Sequence, residues 1–141
     1  MNQNFPEAFL RGLSNKDFVC EGHVLQSAFQ FDNTGRADNM HEASINWLDD
    51  DGAIEVALSQ KKDNGKLQFQ AGVAKLNLNT VKLFLATIQN STFSYERAEI
   101  DGNPYHGNLL IDGNTPKQIK SLISNGLALA AGTNIIPPKN S

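Results

Sequence analysis

Apolar residues recur along this chain at two periods, and those periods divide it into helices and strands. From Ile119, the residues Leu122, Ile123, Leu127 and Ala130 repeat at helical spacing and make one stripe. Thr115 suits the N-cap of that helix, Pro116 its first turn and Gly132 its end. Gly126 falls on the stripe, where glycine costs up to about 1 kcal/mol against alanine, so a neighbour is expected to pack closely there. A second helix is predicted over 78–89, with Leu78, Val81, Phe84, Leu85 and Ile88 on its apolar face and Asn77 or Asn79 as its cap. Phe5, Phe9 and Leu13, four residues apart, suggest a short first helix over 6–13.

Period-two alternation marks the strands. In 66–74, Leu67, Phe69, Ala71 and Val73 point one way and Gln68 and Gln70 the other. Further strands are expected over 23–31, 43–48, 92–100 and 105–111. Asp101-Gly102-Asn103-Pro104 has the composition of a turn, which would join the last two as a hairpin. Residues 53–60 fit either period. The aspartates at 49–51 tip the reading to helix, because negative charge is favoured at a helix start. Helices and strands do not alternate regularly. The order predicts an α+β fold, a mainly antiparallel sheet with two or three helices packed on one face.

A chain of 141 residues fits one domain, expected over 1–134. Pro137 and Pro138 predict a flexible tail over 135–141. Cys20 is the single cysteine, so no internal disulfide can form, which favours a cytoplasmic setting. No secretory signal is read at the N-terminus, and no apolar run approaches the roughly 20 residues of a membrane span. The net charge of −3 and the scattered lysines argue against nucleic acid as a partner.

The common fingerprints of phosphate-loop, dinucleotide, zinc-protease and serine-hydrolase sites are absent, and no motif is specific enough to name a family. No cofactor is expected. Three candidate patches remain. Asp49 and Asp51, with Asp50 between them, supply oxygen ligands for a hard cation, although Ala53 falls where a calcium loop needs another ligand. The same run also serves as a helix-capping loop. In Asn103-Pro104-Tyr105-His106-Gly107-Asn108, His106 has the chemistry of a general base, and His106 and Asn108 share one face of an extended segment. The plainer role is the polar face of a hairpin. Glu96, in the facing strand, would orient His106 if the register brings them together.

Tyr95, Arg97, Tyr105 and Trp47 are residue types that dominate protein interfaces. Together with the missing motifs they suggest a small, soluble, non-catalytic protein-binding module. An immunity or antitoxin-like factor, or an accessory factor of a bacterial operon, would fit, and an open strand edge would allow a homodimer. The alternative is a small enzyme or ligand-binding domain centred on His106, using Asn108 and either Glu96 or an aspartate from the 49–51 run.

Overall fold

Phe9 and Leu10 are adjacent in sequence and both fully buried. In a strand, neighbours point to opposite faces, so this pair requires a strand covered on both sides. The computed structural model, which describes residues 5–33, 35–89 and 92–138, places them in β1 (Ala8–Gly12) near the centre of a six-stranded sheet. The other strands of the sheet are β4 (Met40–Trp47), β5 (Val73–Asn77), β6 (Phe93–Arg97), β7 (His106–Asp112) and β8 (Ile135–Ile136). Their order is β6-β7-β4-β1-β5-β8, and every neighbouring pair is antiparallel. Two short strands, β2 (Val19–Cys20) and β3 (His23–Val24), form a separate ribbon.

The helices are α1 (Gly52–Ser59), α2 (Leu78–Leu85) and α3 (Lys117–Ala131). One face of the sheet carries Phe9, Ala43, Ile45, Trp47, Leu76, Leu109 and Ile111, and α2 and α3 close over it with Val81, Leu85, Ile123 and Leu127. Helix α1 covers a smaller cluster of Leu10, Ala53, Ala57, Leu58 and Val73 on the other face. The fold is therefore the expected α+β arrangement, with two helices on the main face and α1 opposite them. Asn77 caps α2 by accepting the Thr80 N–H at 3.0 Å. A Cβ on Gly126 would lie 3.2 Å from Leu85 Cδ2, so the glycine marks where α2 and α3 approach closely.

Several elements differ from the reading of the sequence. The first helix is strand β1 instead, because residues four apart share a face at period two as well as at period 3.6. Of 66–74, only Val73 and Ala74 join the sheet. Gly72 turns the backbone at φ +92, and Leu67 makes only an isolated bridge with Lys61. Of 23–31, only His23 and Val24 form a strand, and a single 3-10 turn (Gln26–Ala28) follows and helps to bury Phe29. Thr115 does not cap α3. Its hydroxyl donates to the Asp112 carbonyl at 2.6 Å, and Pro116 takes the cap position without a side-chain bond. The expected tail begins with β8, whose Ile135 and Ile136 pair with Ala74 and Val73. The rest of that stretch beyond Pro138 lies outside the described residues.

Trp47 is fully buried and reaches past Gly107 to donate its indole N–H to the Glu96 carbonyl at 3.0 Å. A Cβ on Gly107 would run into both the indole and that carbonyl. Overpacking of this kind typically costs about 1–3 kcal/mol. Gly107→Ala is expected to lower the unfolding free energy by that amount, seen as a lower urea midpoint with an unchanged m value. An unchanged midpoint would show that β7 shifts aside freely.

Candidate functional site

Strand β1 pairs with β5 along its whole length, from Ala8 to Gly12, but its ladder with β4 holds only at Phe9–Trp47 and Leu10–Asn46. Beyond Leu10 the two strands part, and the edge of β4 facing the gap needs other partners. Residues near 28–32 supply them. Asp32 exchanges both backbone hydrogen bonds with Glu42, at 2.8 and 3.0 Å. Arg11 bridges the gap itself: Nη1 donates to the Ser44 carbonyl at 2.7 Å and Nε to the Ala28 carbonyl at 2.9 Å.

A cavity of about 330 Å³ lies over this parting. Arg11, Gly12 and Ser14 form its β1 side, and Ser44 and Asn46 its β4 side. Gln60, Gln68 and Phe69 from the loop after α1 make one wall. Ile100, Asn103 and His106 from the β6–β7 hairpin make another. Phe69 can stack there because Gly12 has no side chain, and a Cβ at that position would overlap the ring. Asn103 donates to Asn46 Oδ1 at 2.6 Å and accepts the Tyr105 N–H at 3.1 Å, so two buried amides fix the hairpin against β4.

His106 is half-buried at the cavity. Its Nδ1 lies 2.8 Å from the Ala98 carbonyl. A carbonyl can only accept, so Nδ1 carries the proton, and in the neutral ring Nε2 holds the lone pair. No hydrogen bond to Nε2 is made among the described residues. The group available to a ligand is therefore an acceptor when neutral and a donor when protonated.

The carboxylate expected beside His106 is engaged elsewhere. Glu96 pairs across the strands with Asn108 and accepts its side-chain N–H at 2.8 Å. Glu96 Oε2 also accepts Arg36 Nη1 at 2.9 Å, and Arg36 reaches Glu42 at 3.0 Å and Asp38 at 2.9 Å. Asn108 is 4 % exposed, and its Oδ1 has no hydrogen-bond partner among the described residues. His106 and Asn108 thus share a face, as the alternation requires, but serve different neighbours. His41 accepts from the Lys120 ammonium at 3.1 Å.

The residues singled out as interface anchors are largely occupied inside the fold. Trp47 has no exposed surface. Tyr95 packs edge-on against Phe5 at 4.7 Å and Trp47 at 5.6 Å. Arg97 grips Asp49 with both terminal nitrogens, at 2.9 and 2.6 Å. The Tyr105 hydroxyl donates to Asp50 at 2.8 Å, and that bond raises the phenol pKa. Asp50 also accepts the Gly52 N–H at 2.8 Å, and Asp51 stands at the α1 cap. The aspartate run is therefore the capping loop of α1. No group of three or more His, Cys, Asp or Glu among the described residues is placed to hold a metal ion.

Sequence reasoning singled out His106, with Asn103 in the same candidate segment, but passed over Arg11 and Asn46. The available signals were an arginine beside two apolar residues in a central strand and an asparagine beside the only tryptophan. No helix among the described residues is long and apolar enough to cross a membrane. No protein-family model, curated protein sequence or solved structure matches the chain.

Hydrogen bonds from Arg36 hold Asp38 near a pKa of about 2 and Glu96 below the usual carboxylate range. Carboxylates depressed in this way contribute stability that is fully present above their unfolded values of about 4 and is lost as the pH falls through the folded values. Wild-type Tm is therefore expected to drop between about pH 4 and 2. Arg36→Met should be less stable than wild type at pH 6, and the gap should close by pH 2. An equal gap at both pH values, read by circular dichroism, would mean that these ion pairs contribute nothing.

Proposed function

We propose that the protein binds a small polar molecule in the cavity between β1, β4 and the β6–β7 hairpin. The observation that carries this reading is a half-buried histidine whose Nδ1 is fixed by a backbone carbonyl and whose Nε2 is left for a ligand, inside a cavity of ligand size. Amide side chains from three separate segments, at Asn46, Gln68 and Asn103, surround it, and Phe69 and Ile100 offer apolar walls. That mixture of a few directed polar groups with apolar surface is what holds and orients a small ligand. With no carboxylate placed on His106, binding is better supported than catalysis.

A protein-binding role is favoured by a different surface from the one its residue types suggested. Leu122 and Leu129 are 51 % and 59 % exposed on α3, on either side of Gly126, and Phe84 of α2 lies against that glycine. Exposed apolar side chains gathered at one place are a common mark of a partner site.

An amide-resolved NMR titration with a panel of small polar fragments separates the two readings. Saturable shifts at Gly12, Asn46, Gln68 and His106 are expected. His106→Asn keeps a donor for the Ala98 carbonyl but removes Nε2, and it is expected to weaken a cavity ligand about tenfold, the equivalent of one good hydrogen bond. Shifts confined to Phe84, Leu122 and Leu129 would overturn the cavity reading in favour of the partner surface.

A further inference from the structure

The chain has three arginines, and two of them bind carboxylates: Arg36 holds Asp38, Glu42 and Glu96, and Arg97 holds Asp49. Arg11 differs. Its two hydrogen bonds go to backbone carbonyls, and no carboxylate is in ion-pair contact with it among the described residues. Asp32 acts on it only through space, and burial pulls its pKa down to about 10. A partly buried cation without a contacting anion is costly, because a carbonyl dipole replaces only part of its lost hydration.

Asp32 supplies only part of the missing charge, and the cavity lining supplies none. Among the described residues no Asp or Glu lines the cavity, although the chain as a whole carries −3. The ionisable ones among the described residues that line it are Arg11 and His106, and neither is in contact with a carboxylate. The remaining N–H groups of the guanidinium fork match the geometry of a carboxylate, which accepts two parallel hydrogen bonds from arginine. A phosphate dianion would call for more cationic donors than one arginine and one histidine. The nearby Phe69 and Ile100 suit a ligand whose carboxylate is carried on an apolar body.

Resting on the cavity reading above, we propose that the ligand is a small organic carboxylate, its anionic group held by Arg11 at the parting of β1 and β4 and its body placed between Phe69 and Ile100.

The test uses a pair of probes of nearly equal shape and different charge, sodium benzoate and benzamide, at constant ionic strength. The Arg11 Nε–H resonance of isotope-labelled wild-type protein is followed, so no variant has to fold. Saturable movement of that signal with benzoate, at least about tenfold weaker with benzamide, is expected. Equal binding of the two probes would overturn the carboxylate assignment and leave the cavity reading standing. Failure of benzoate to move the signal at all would overturn the assignment too, whereas the cavity reading is judged separately by the fragment titration. Arg11→Lys keeps the charge but loses the fork, and should weaken benzoate about tenfold if bidentate geometry matters. An unchanged affinity in a variant shown by circular dichroism to be folded would count against the assignment.

Discussion

The arrangement of this protein turns on the separation of β1 from β4 after Leu10. Up to that point the sheet is an ordinary antiparallel ladder. Beyond it, β1 keeps its partner β5 and abandons β4, while β4 keeps its partner β7 through Met40–Asp112. A buried strand edge cannot be left without hydrogen bonds, since each orphaned amide or carbonyl costs about 1–3 kcal/mol. Asp32 takes one stretch of the vacated edge and the Arg11 guanidinium takes the Ser44 carbonyl. The segment carrying Ala28, Phe29 and Asp32 is then fixed from both sides, because Ser124 of α3 donates to the Phe29 carbonyl at 2.6 Å. A backbone requirement at one point of the sheet thereby positions a loop, a helix and a charged side chain.

The same parting explains why the two faces of the sheet differ. The face under α2 and α3 is continuous and apolar, and Trp47 anchors it through its bond to the Glu96 carbonyl. The opposite face is divided. Leu10 and Val73 lie beneath α1, whereas Glu42, Ser44, Asn108 and Glu96 alternate outward on β4, β7 and β6. Arg36 spans that polar half and gathers three carboxylates, so its charges are compensated within the fold. The cavity sits where the apolar and polar halves meet. This is why its walls mix Phe69 and Ile100 with amide side chains.

Much of the helical layer was legible in the sequence. The Asn77 cap, the buried Leu78–Val81–Leu85 stripe and the close approach at Gly126 follow from local rules that the tertiary structure does not override. The first strand was not legible, because the spacing of Phe5, Phe9 and Leu13 satisfies two periods at once. Only the burial of both Phe9 and Leu10 decides between them, and burial depends on β4 and β5, strands distant in sequence. Alternation in 66–74 misled for a related reason. Phe69 packs into the space over Gly12 without entering the ladder, so its period records a contact rather than a strand. Of the site, His106 was legible from its residue type. Arg11 was hidden because its role arises from a gap between strands, and a gap leaves no pattern along the chain.

The contrast among the three arginines shows how one residue type can do unlike work in one fold. Arg36 and Arg97 have raised pKa values because hydrogen-bonded carboxylates favour their charged forms. Arg11 is lowered because burial removes water, and the through-space attraction of Asp32 offsets only part of that loss. As pure scaffolding, a neutral donor would satisfy the Ala28 and Ser44 carbonyls with less desolvation. A guanidinium at that place carries something beyond the hydrogen bonds, namely a positive potential inside a cavity that no acidic side chain lines among the described residues. In a molecule of net negative charge, that potential is local and is strengthened by the low dielectric of its walls. The electrostatic asymmetry is thus a consequence of how the sheet divides: the strand edge needs a long donor, an arginine reaches it, and the charge it brings makes the cavity complementary to an anion.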